Sequence, residues 1–237
     1  MEKLSGQINV FGTAAYAPQL AWIQNATLRD NILFGRRYDE SFYNQVINVC
    51  ALKTDVDLLH RGDLTEIGEK GINLSGGQKQ RINLARCIYA DADIYYLDDS
   101  LSAVDSLVGK HIFESVIGPK GILQKKTRLF VTNSLNFLQE ADEVIYVENG
   151  VIVEMGSYNQ LCKDDSLFNQ FIQTYLKTKE DNGTNINSIS NSSQSVKEDF
   201  KRSLSKKSFN QNAEITEFID NVQRHIVKKR SMYVKFF

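Results

Sequence analysis

The residues best suited to chemistry fall in two short clusters. The first is Leu74-Ser75-Gly76-Gly77-Gln78, followed by Lys79, Gln80 and Arg81. Adjacent glycines let backbone N–H groups approach an anion closely, and Ser75 adds a hydroxyl donor. Gln78 to Ala90 reads as a helix whose N-terminus faces the same spot. This is chemistry for phosphate, although a glycine pair ahead of a helix is equally compatible with a plain loop. The second cluster is Ile94-Tyr95-Tyr96-Leu97 running into Asp98-Asp99, with Ser102-Ala103-Val104-Asp105 just beyond. An apolar run ending in acid is the pattern of a buried parallel strand whose carboxyl end lines a ligand crevice.

The elements that must position these clusters are legible as patterns. Gln7 to Phe11 alternates polar and apolar as a half-buried strand that Gly12 ends, and a second short strand is expected at Ala14 to Ala17. Pro18 fixes the backbone before Gln19, a polar amide able to reach a metal ion or water. Thr27 is placed to cap a short helix. Between Asp39 and Leu59, Phe42, Val46, Val49 and Leu52 recur at helical spacing, with Cys50 near that stripe as a packing residue. Arg61-Gly62-Asp63 reads as a turn. After the glycine pair, Ile82, Ala85 and Tyr89, widened by Leu84 and Ile88, form one helix face. Lys110 to Val116 reads as a helix broken by Pro119 and Gly121, and Arg128 to Thr132 as a buried strand that delivers Asn133 at its carboxyl end. Glu143 to Val147 and Val151 to Glu154 pair as a hairpin across Asn149-Gly150, before closing helices within Gly156 to Leu161 and Leu167 to Leu176.

Composition excludes several functions. The chain has 237 residues, 42% of them hydrophobic, enough for a substantial core. Lys and Arg number 28 against 29 Asp and Glu, a net charge of -1 that provides no bulk field for nucleic acid as a partner. Cys50, Cys87 and Cys162 are widely spaced, with neither zinc-site nor disulfide-framework spacing, which fits a reducing, cytosolic setting. No signal peptide is visible and no apolar run is long enough to span a bilayer.

Residues 178–212, rich in Ser, Asn, Lys and Asp, read as a disordered polar linker in which Ser203, Ser205 and Ser208 are candidates for phosphorylation. Over residues 213–237, Ile215, Phe218, Ile219, Val222 and Ile226 form the stripe of an amphipathic basic helix, suited equally to a membrane interface or to packing on a partner.

Together the two clusters resemble the signature motif, Walker B strand and D-loop of an ATP-binding cassette, and Tyr16-Ala17-Pro18-Gln19 resembles its Q-loop. Ala21-Trp22-Ile23-Gln24-Asn25, Glu66-Ile67-Gly68-Glu69-Lys70-Gly71, the tandem Asp98-Asp99 and Gly109 to Glu114 resemble the first nucleotide-binding domain of exporters in the multidrug resistance-associated, or C, subfamily. The resemblance runs from Gly6 to about Leu176. It implies an α/β fold: a P-loop NTPase (RecA-like) core with an inserted α-helical signature subdomain that docks against transmembrane domains, occupying residues 1–177. It also implies ATP and Mg2+ as ligands, a second nucleotide-binding domain as partner, and a place at the cytosolic face of a membrane. Family members export organic anions, conjugates or drugs, or act as channels or channel regulators.

Carried over position by position, the resemblance makes Asp98 the Walker B carboxylate holding the water shell of Mg2+, aided through water by Gln19. Ser75, Gly76, Gly77, Gln78, Gln19 and Asp105 become nucleotide contacts. Asp99 stands where active cassettes carry a glutamate, and Asn133 where they carry a histidine. An aspartate one methylene short and an amide that cannot titrate imply weak hydrolysis. No Gly-x-x-x-x-Gly-Lys-Ser/Thr occurs in the sequence. The resemblance would put that P-loop strand next to the Walker B strand, so its absence predicts an open sheet edge there, and a chain that holds no ATP in its own head.

The chain is accordingly expected to be part of a longer exporter, inactive alone, giving its signature to ATP held by another cassette. A stand-alone, non-enzymatic partner that regulates an intact cassette is the alternative reading. A soluble cassette ATPase comes third.

Overall fold

The computed structural model describes residues 9–68, 74–163, 165–181 and 230–236. The linker beyond Asp181, most of the expected C-terminal helix and residues 69–73 before the signature lie outside the described residues.

The centre of the fold is a sheet of six strands. Its first part is parallel: β1 (Ala14–Ala17), β4 (Ile94–Asp98) and β5 (Thr127–Thr132), with β4 in the middle. Ala14 faces Ile94, and Ile94 faces Thr127, so the three carboxyl ends finish along one edge. Burial alternates along each strand: Tyr95 and Leu97 are fully buried while Ile94, Tyr96 and Asp98 are half-buried. The apolar run of β4 is thus covered more completely on one face than on the other.

Between β1 and the signature come short elements: the two-residue strands β2 (Ala26–Thr27) and β3 (Glu66–Ile67), paired with each other, and helices α1 (Leu28–Leu33), α2 (Glu40–Val49) and α3 (Lys53–Leu58). Thr27 caps α1 as expected, its hydroxyl accepting from the Asp30 N–H. The helical spacing read between Asp39 and Leu59 corresponds to the two helices α2 and α3. Ala51, with φ 53°, adopts a left-handed conformation just after the cap of α2, separating it from α3. The buried face of α2 is Tyr43, Val46 and Ile47, while Phe42 and Val49 flank it half-buried. Cys50 is fully buried and burial pushes its thiol pKa up, consistent with packing rather than reactivity. Arg61-Gly62-Asp63 forms a tight turn, with Asp63 ion-paired to Arg29.

Helix α4 (Gly76–Tyr89) packs Ile82, Leu84, Ala85 and Ile88 into the core. It leads through a tight turn into β4. Helix α5 (Ser106–Ile112) continues into a π-helical turn, Phe113–Ile117, and its Ile112, Phe113, Val116 and Ile117 are all buried. Arg128 on β5 reaches the end of that turn, donating from Nη1 to the carbonyls of Ile117 (2.6 Å) and Gly118 (2.9 Å). A cation on terminal helix carbonyls is favourable for both charge and hydrogen bonding.

The hairpin β6 (Glu143–Glu148) and β7 (Val151–Gly156) turns at Asn149 (φ 52°) and Gly150 (φ 80°), the two positive-φ residues a two-residue turn requires. Helices α6 (Tyr158–Leu161) and α7 (Leu167–Asp181) follow, so α7 runs past the boundary expected at residue 177. Four expectations are corrected. Asn9 to Phe11 are not a strand: no neighbouring strand pairs with them among the described residues, and Phe11 is 88% exposed. The Walker B strand has no open edge, because β1 and β5 pair with it on either side. Residues 178–181 are helical rather than linker. The fourth is the C-terminus: Arg230–Phe236, expected within a helix, is the strand β8, lying between β5 and β6 and antiparallel to both. Tyr233-Val234-Lys235-Phe236 mixes aromatic and β-branched residues, which suits a pleated strand better than the end of a helix.

Candidate functional site

The helix α4 begins two residues earlier than its sequence suggests. Ser75 is the N-cap, so Gly76 and Gly77 occupy the first turn rather than a loop before it. Ser75 Oγ accepts from the Gln78 N–H at 3.2 Å and Gln78 Oε1 accepts from the Ser75 N–H at 2.9 Å, a reciprocal capping box. Gln78 Nε2 donates to Asp55 of α3 at 2.8 Å, and Arg81 ion-pairs with the same carboxylate and donates to the Ala51 carbonyl. The carboxamide of Gln78 is therefore committed to holding the loop, not turned out towards a ligand. The N–H groups of Gly76 and Gly77 find no acceptor among the described residues, as expected for the first positions of a helix.

The two glycines differ. A Cβ on Gly76 would meet nothing within 4 Å, so this position is open to an approaching group. On Gly77 it would lie 3.1 Å from the Ala103 carbonyl oxygen, so Gly77 allows the signature to pack against the segment after β4. Asp105 in that segment caps α5, accepting from the Val108 N–H at 3.0 Å. Sequence reading brought these two clusters together only by resemblance; here they touch.

At the carboxyl edge of the sheet, β1 and the segment that follows it serve the two carboxylates. Tyr16 Oη donates to Asp98 Oδ2 at 3.0 Å, and Gln19 Nε2 donates to Asp99 Oδ2 at 3.1 Å. Parallel pairing fixes this geometry, since Tyr16 faces Tyr96, two residues before Asp98. Tyr16 was missed in the sequence; the register needed to see it depends on which strands are neighbours. Burial, opposed by hydrogen bonds from Gln19 and Ser102, pushes the Asp99 carboxyl above its ordinary value. Asp99 also has φ 46°, a left-handed conformation held by its N–H donating to Val131 at 2.9 Å. Non-glycine residues in this region carry strain and concentrate at functional sites. Asn133 is exposed just beyond β5, whose Val131 faces Asp98. Among the described residues no group of three or more metal-ligating side chains converges. One or two carboxylates with an amide nonetheless fit Mg2+, which retains waters and takes its remaining ligands from phosphates.

Helix α4 also ties the signature to the segment around Gln19. Gln80 Nε2 and Asn83 Nδ2 both donate to the Pro18 carbonyl, at 3.3 and 3.2 Å. Arg86 donates from Nε to the Asn31 carbonyl (2.7 Å), from Nη1 to the Trp22 carbonyl (2.7 Å) and from Nη2 to Asn31 Oδ1 (2.9 Å). Its guanidinium lies 5.1 Å from the Trp22 ring centroid and 5.3 Å from that of Phe34. Burial lowers its pKa to about 10. Trp22 (52% exposed) and Phe34 (44% exposed), packed edge to face, present an aromatic surface over this cation. Sequence reading assigned no role to Gln80, Asn83 and Arg86 here; only the fold turns them into this strap.

Residues 9–102 match the family model described as ABC transporter. The chain belongs to the ATP-binding cassette family, as a nucleotide-binding domain. Its relatives place it in the C subfamily. It is 56% identical over 177 residues to ATP-binding cassette sub-family C member 2 of Homo sapiens, covering 75% of this chain and 12% of the relative. It is 54% identical over 175 residues to sub-family C member 3 of Rattus norvegicus, covering 74% and 12%. Over 184 residues it is 54% identical to the multidrug resistance protein mrp-7 of Caenorhabditis elegans, covering 78% and 12%. The chain thus spans about an eighth of the length of each relative. No helix among the described residues is long and apolar enough to cross a membrane.

Proposed function

We propose that this domain works as one half of a composite ATP site in an exporter of organic anions, conjugates or drugs. The observation that carries this reading is the pair of N–H groups of Gly76 and Gly77, without an acceptor among the described residues, beside the Ser75 hydroxyl, with open space at Gly76. In the composite site these groups contact the γ-phosphate of ATP held by the P-loop of a second nucleotide-binding domain. Gln78 supports that contact indirectly, through the capping box and Asp55. Asp105 joins the contact surface from the segment packed on Gly77. At the carboxyl end of β4, Asp98 would hold Mg2+ through its water shell, with Gln19, hydrogen-bonded to the adjacent Asp99, as the amide beside it. Asp99 and Asn133 make that side slow at hydrolysis. In this reading the helices α1 to α3 belong to the subdomain that meets transmembrane domains, with the chain at the cytosolic face of a membrane.

The test pairs the purified chain with the intact second nucleotide-binding domain of a C-subfamily relative. Addition of the chain is expected to tighten the partner's ATP binding by tenfold or more. Gly76→Asp, which sets a negative charge in the phosphate's place, removes that gain while leaving the fold intact by circular dichroism. If the partner's ATP affinity does not change at saturating chain, or changes equally with Gly76→Asp, the reading is wrong.

A further inference from the structure

The carboxylate of Asp98 has two oxygens in different situations. Oδ2 accepts the Tyr16 hydroxyl at 3.0 Å, while no donor among the described residues reaches Oδ1. The neighbouring Asp99 likewise has its Oδ2 engaged, by Gln19 Nε2 at 3.1 Å. Donors from β1 and the segment after it therefore trim the number of acceptor oxygens that this edge of the sheet offers to a cation.

The length of the Tyr16 side chain is what makes its contact possible. Parallel pairing sets Tyr16 opposite Tyr96, and Asp98 lies two residues further along β4, about 6.6 Å away at the usual rise of a strand. A phenol spans that distance and ends in a donor, whereas serine or threonine at this position would stop short. With 57% of its surface exposed, Tyr16 adds little to the core, and its hydroxyl makes this one hydrogen bond among the described residues.

An engaged Oδ2 matters because divalent cations use carboxylates differently. Ca2+ sheds water readily, takes more oxygen ligands and accepts both oxygens of one carboxylate, while Mg2+ is smaller, demands near-octahedral geometry and keeps several waters. A single open oxygen is enough to accept from a water of the Mg2+ shell. Two-oxygen binding of Ca2+ would first have to break the Tyr16 hydrogen bond and leave the phenol without its acceptor.

We propose that Tyr16 is a specificity-determining residue of the metal site, whose hydroxyl withholds Asp98 Oδ2 and so favours Mg2+ over Ca2+. It is a positioning residue, acting through Asp98 and not on the ion. The inference rests on the reading of Asp98 as the carboxylate that holds Mg2+, and adds to it what sets the choice of ion.

The experiment uses the full chain with Mn2+ as probe, the free ion being measured by electron paramagnetic resonance. Mg2+ and Ca2+ are titrated in as competitors, and the ratio of their half-displacing concentrations is the readout. The unaltered chain is expected to release Mn2+ at lower Mg2+ than Ca2+, and Asp98→Asn to weaken Mn2+ binding roughly tenfold or more. In Tyr16→Phe, which keeps the ring and loses the donor, the Ca2+ required should fall roughly fivefold or more while the Mg2+ required changes less than about twofold. A purely structural effect would move both ions together, so the ratio separates the two roles. Tyr16→Met, of similar reach and without a donor, should give the same ratio, and it decides the matter if circular dichroism shows the phenylalanine variant unfolded. An unchanged ratio in a folded variant, with Mn2+ binding still dependent on Asp98, overturns the role of Tyr16 alone; so does a preference for Ca2+ in the unaltered chain. No Mn2+ binding to the unaltered chain, or binding that survives Asp98→Asn, overturns the reading of Asp98 and this inference with it.

Discussion

Arg86 offers the sharpest test of how this domain is held together, because one side chain makes three of the hydrogen bonds that join the signature helix to the segment following β1. Arg86→Ala removes donors to Asn31 O, Trp22 O and Asn31 Oδ1, at 2.7, 2.7 and 2.9 Å, together with the cation between Trp22 and Phe34. Hydrogen bonds from a charged donor contribute roughly 1.5–3 kcal/mol each, which gives a gross loss of about 4.5–9 kcal/mol. Against this stands the cost of burying the guanidinium, visible in a pKa lowered to about 10, and the access of water to the Trp22 carbonyl once the side chain is gone. The net effect expected is about 3 kcal/mol, the size found when a buried polar network is broken. In a domain of this size that lowers Tm by roughly 6–12 °C. Urea unfolding measures it twice over: far-UV circular dichroism follows the whole fold, and fluorescence follows Trp22, the one tryptophan of the chain. Both should report the same shift in midpoint. Arg86→Lys, keeping the charge as a point donor, should recover part of the loss. A fall below about 1 kcal/mol for Arg86→Ala would mean that water replaces the three bonds without cost, and the strap would not be the organising joint described here.

Two further outcomes follow from local geometry. Gly121→Ala places a Cβ 2.3 Å from the Val116 carbonyl oxygen and 2.4 Å from its carbon, backbone atoms that cannot step aside; a loss of about 3 kcal/mol in urea unfolding is expected. Gly109→Ala, with nothing within 4 Å and a helical position, should instead be neutral or gain up to about 1 kcal/mol, and a reversed order would contradict the close approach at Gly121. Asp99→Asn tests the raised carboxyl pKa. A carboxyl whose folded pKa lies above its unfolded one gives its full stabilisation below the ordinary value of 3.8 and loses it as pH rises through the folded pKa. The asparagine variant should therefore be the more stable at pH 7, with the difference vanishing below pH 3.8; a lower midpoint than the unaltered chain at pH 7 would refute burial as the dominant cause.

Much of the domain was settled by short-range pattern. Leu74 to Gln78, Gln19 after Pro18 and the tandem Asp98-Asp99 carry their chemistry in residue type and spacing, and those properties do not depend on what lies across the fold. The cap at Thr27, the Asn149-Gly150 turn and the burial of Ile82, Ala85 and Tyr89 were legible for the same reason: a turn residue or a helix face acts through its own neighbours in sequence. What the sequence did not reveal rests on contacts between distant segments. Tyr16 reaches Asp98 only because β1 and β4 are neighbours in a given register, and Gln80, Asn83 and Arg86 become a strap only because the Pro18 to Asn31 segment lies along α4. Gln78, whose type suggests a ligand contact, is drawn inward by Asp55, a residue of another helix. Helical periodicity through residues 213–237 gave no hint of β8, because its pairing with β5 and β6 joins segments far apart in sequence. Sequence by itself determined which groups could do chemistry and which family of site they compose. Tertiary structure decided which of those groups face outward, which hold others in place, and which strand fills the sheet, since hydrogen-bond partners and packing neighbours are properties of the folded chain.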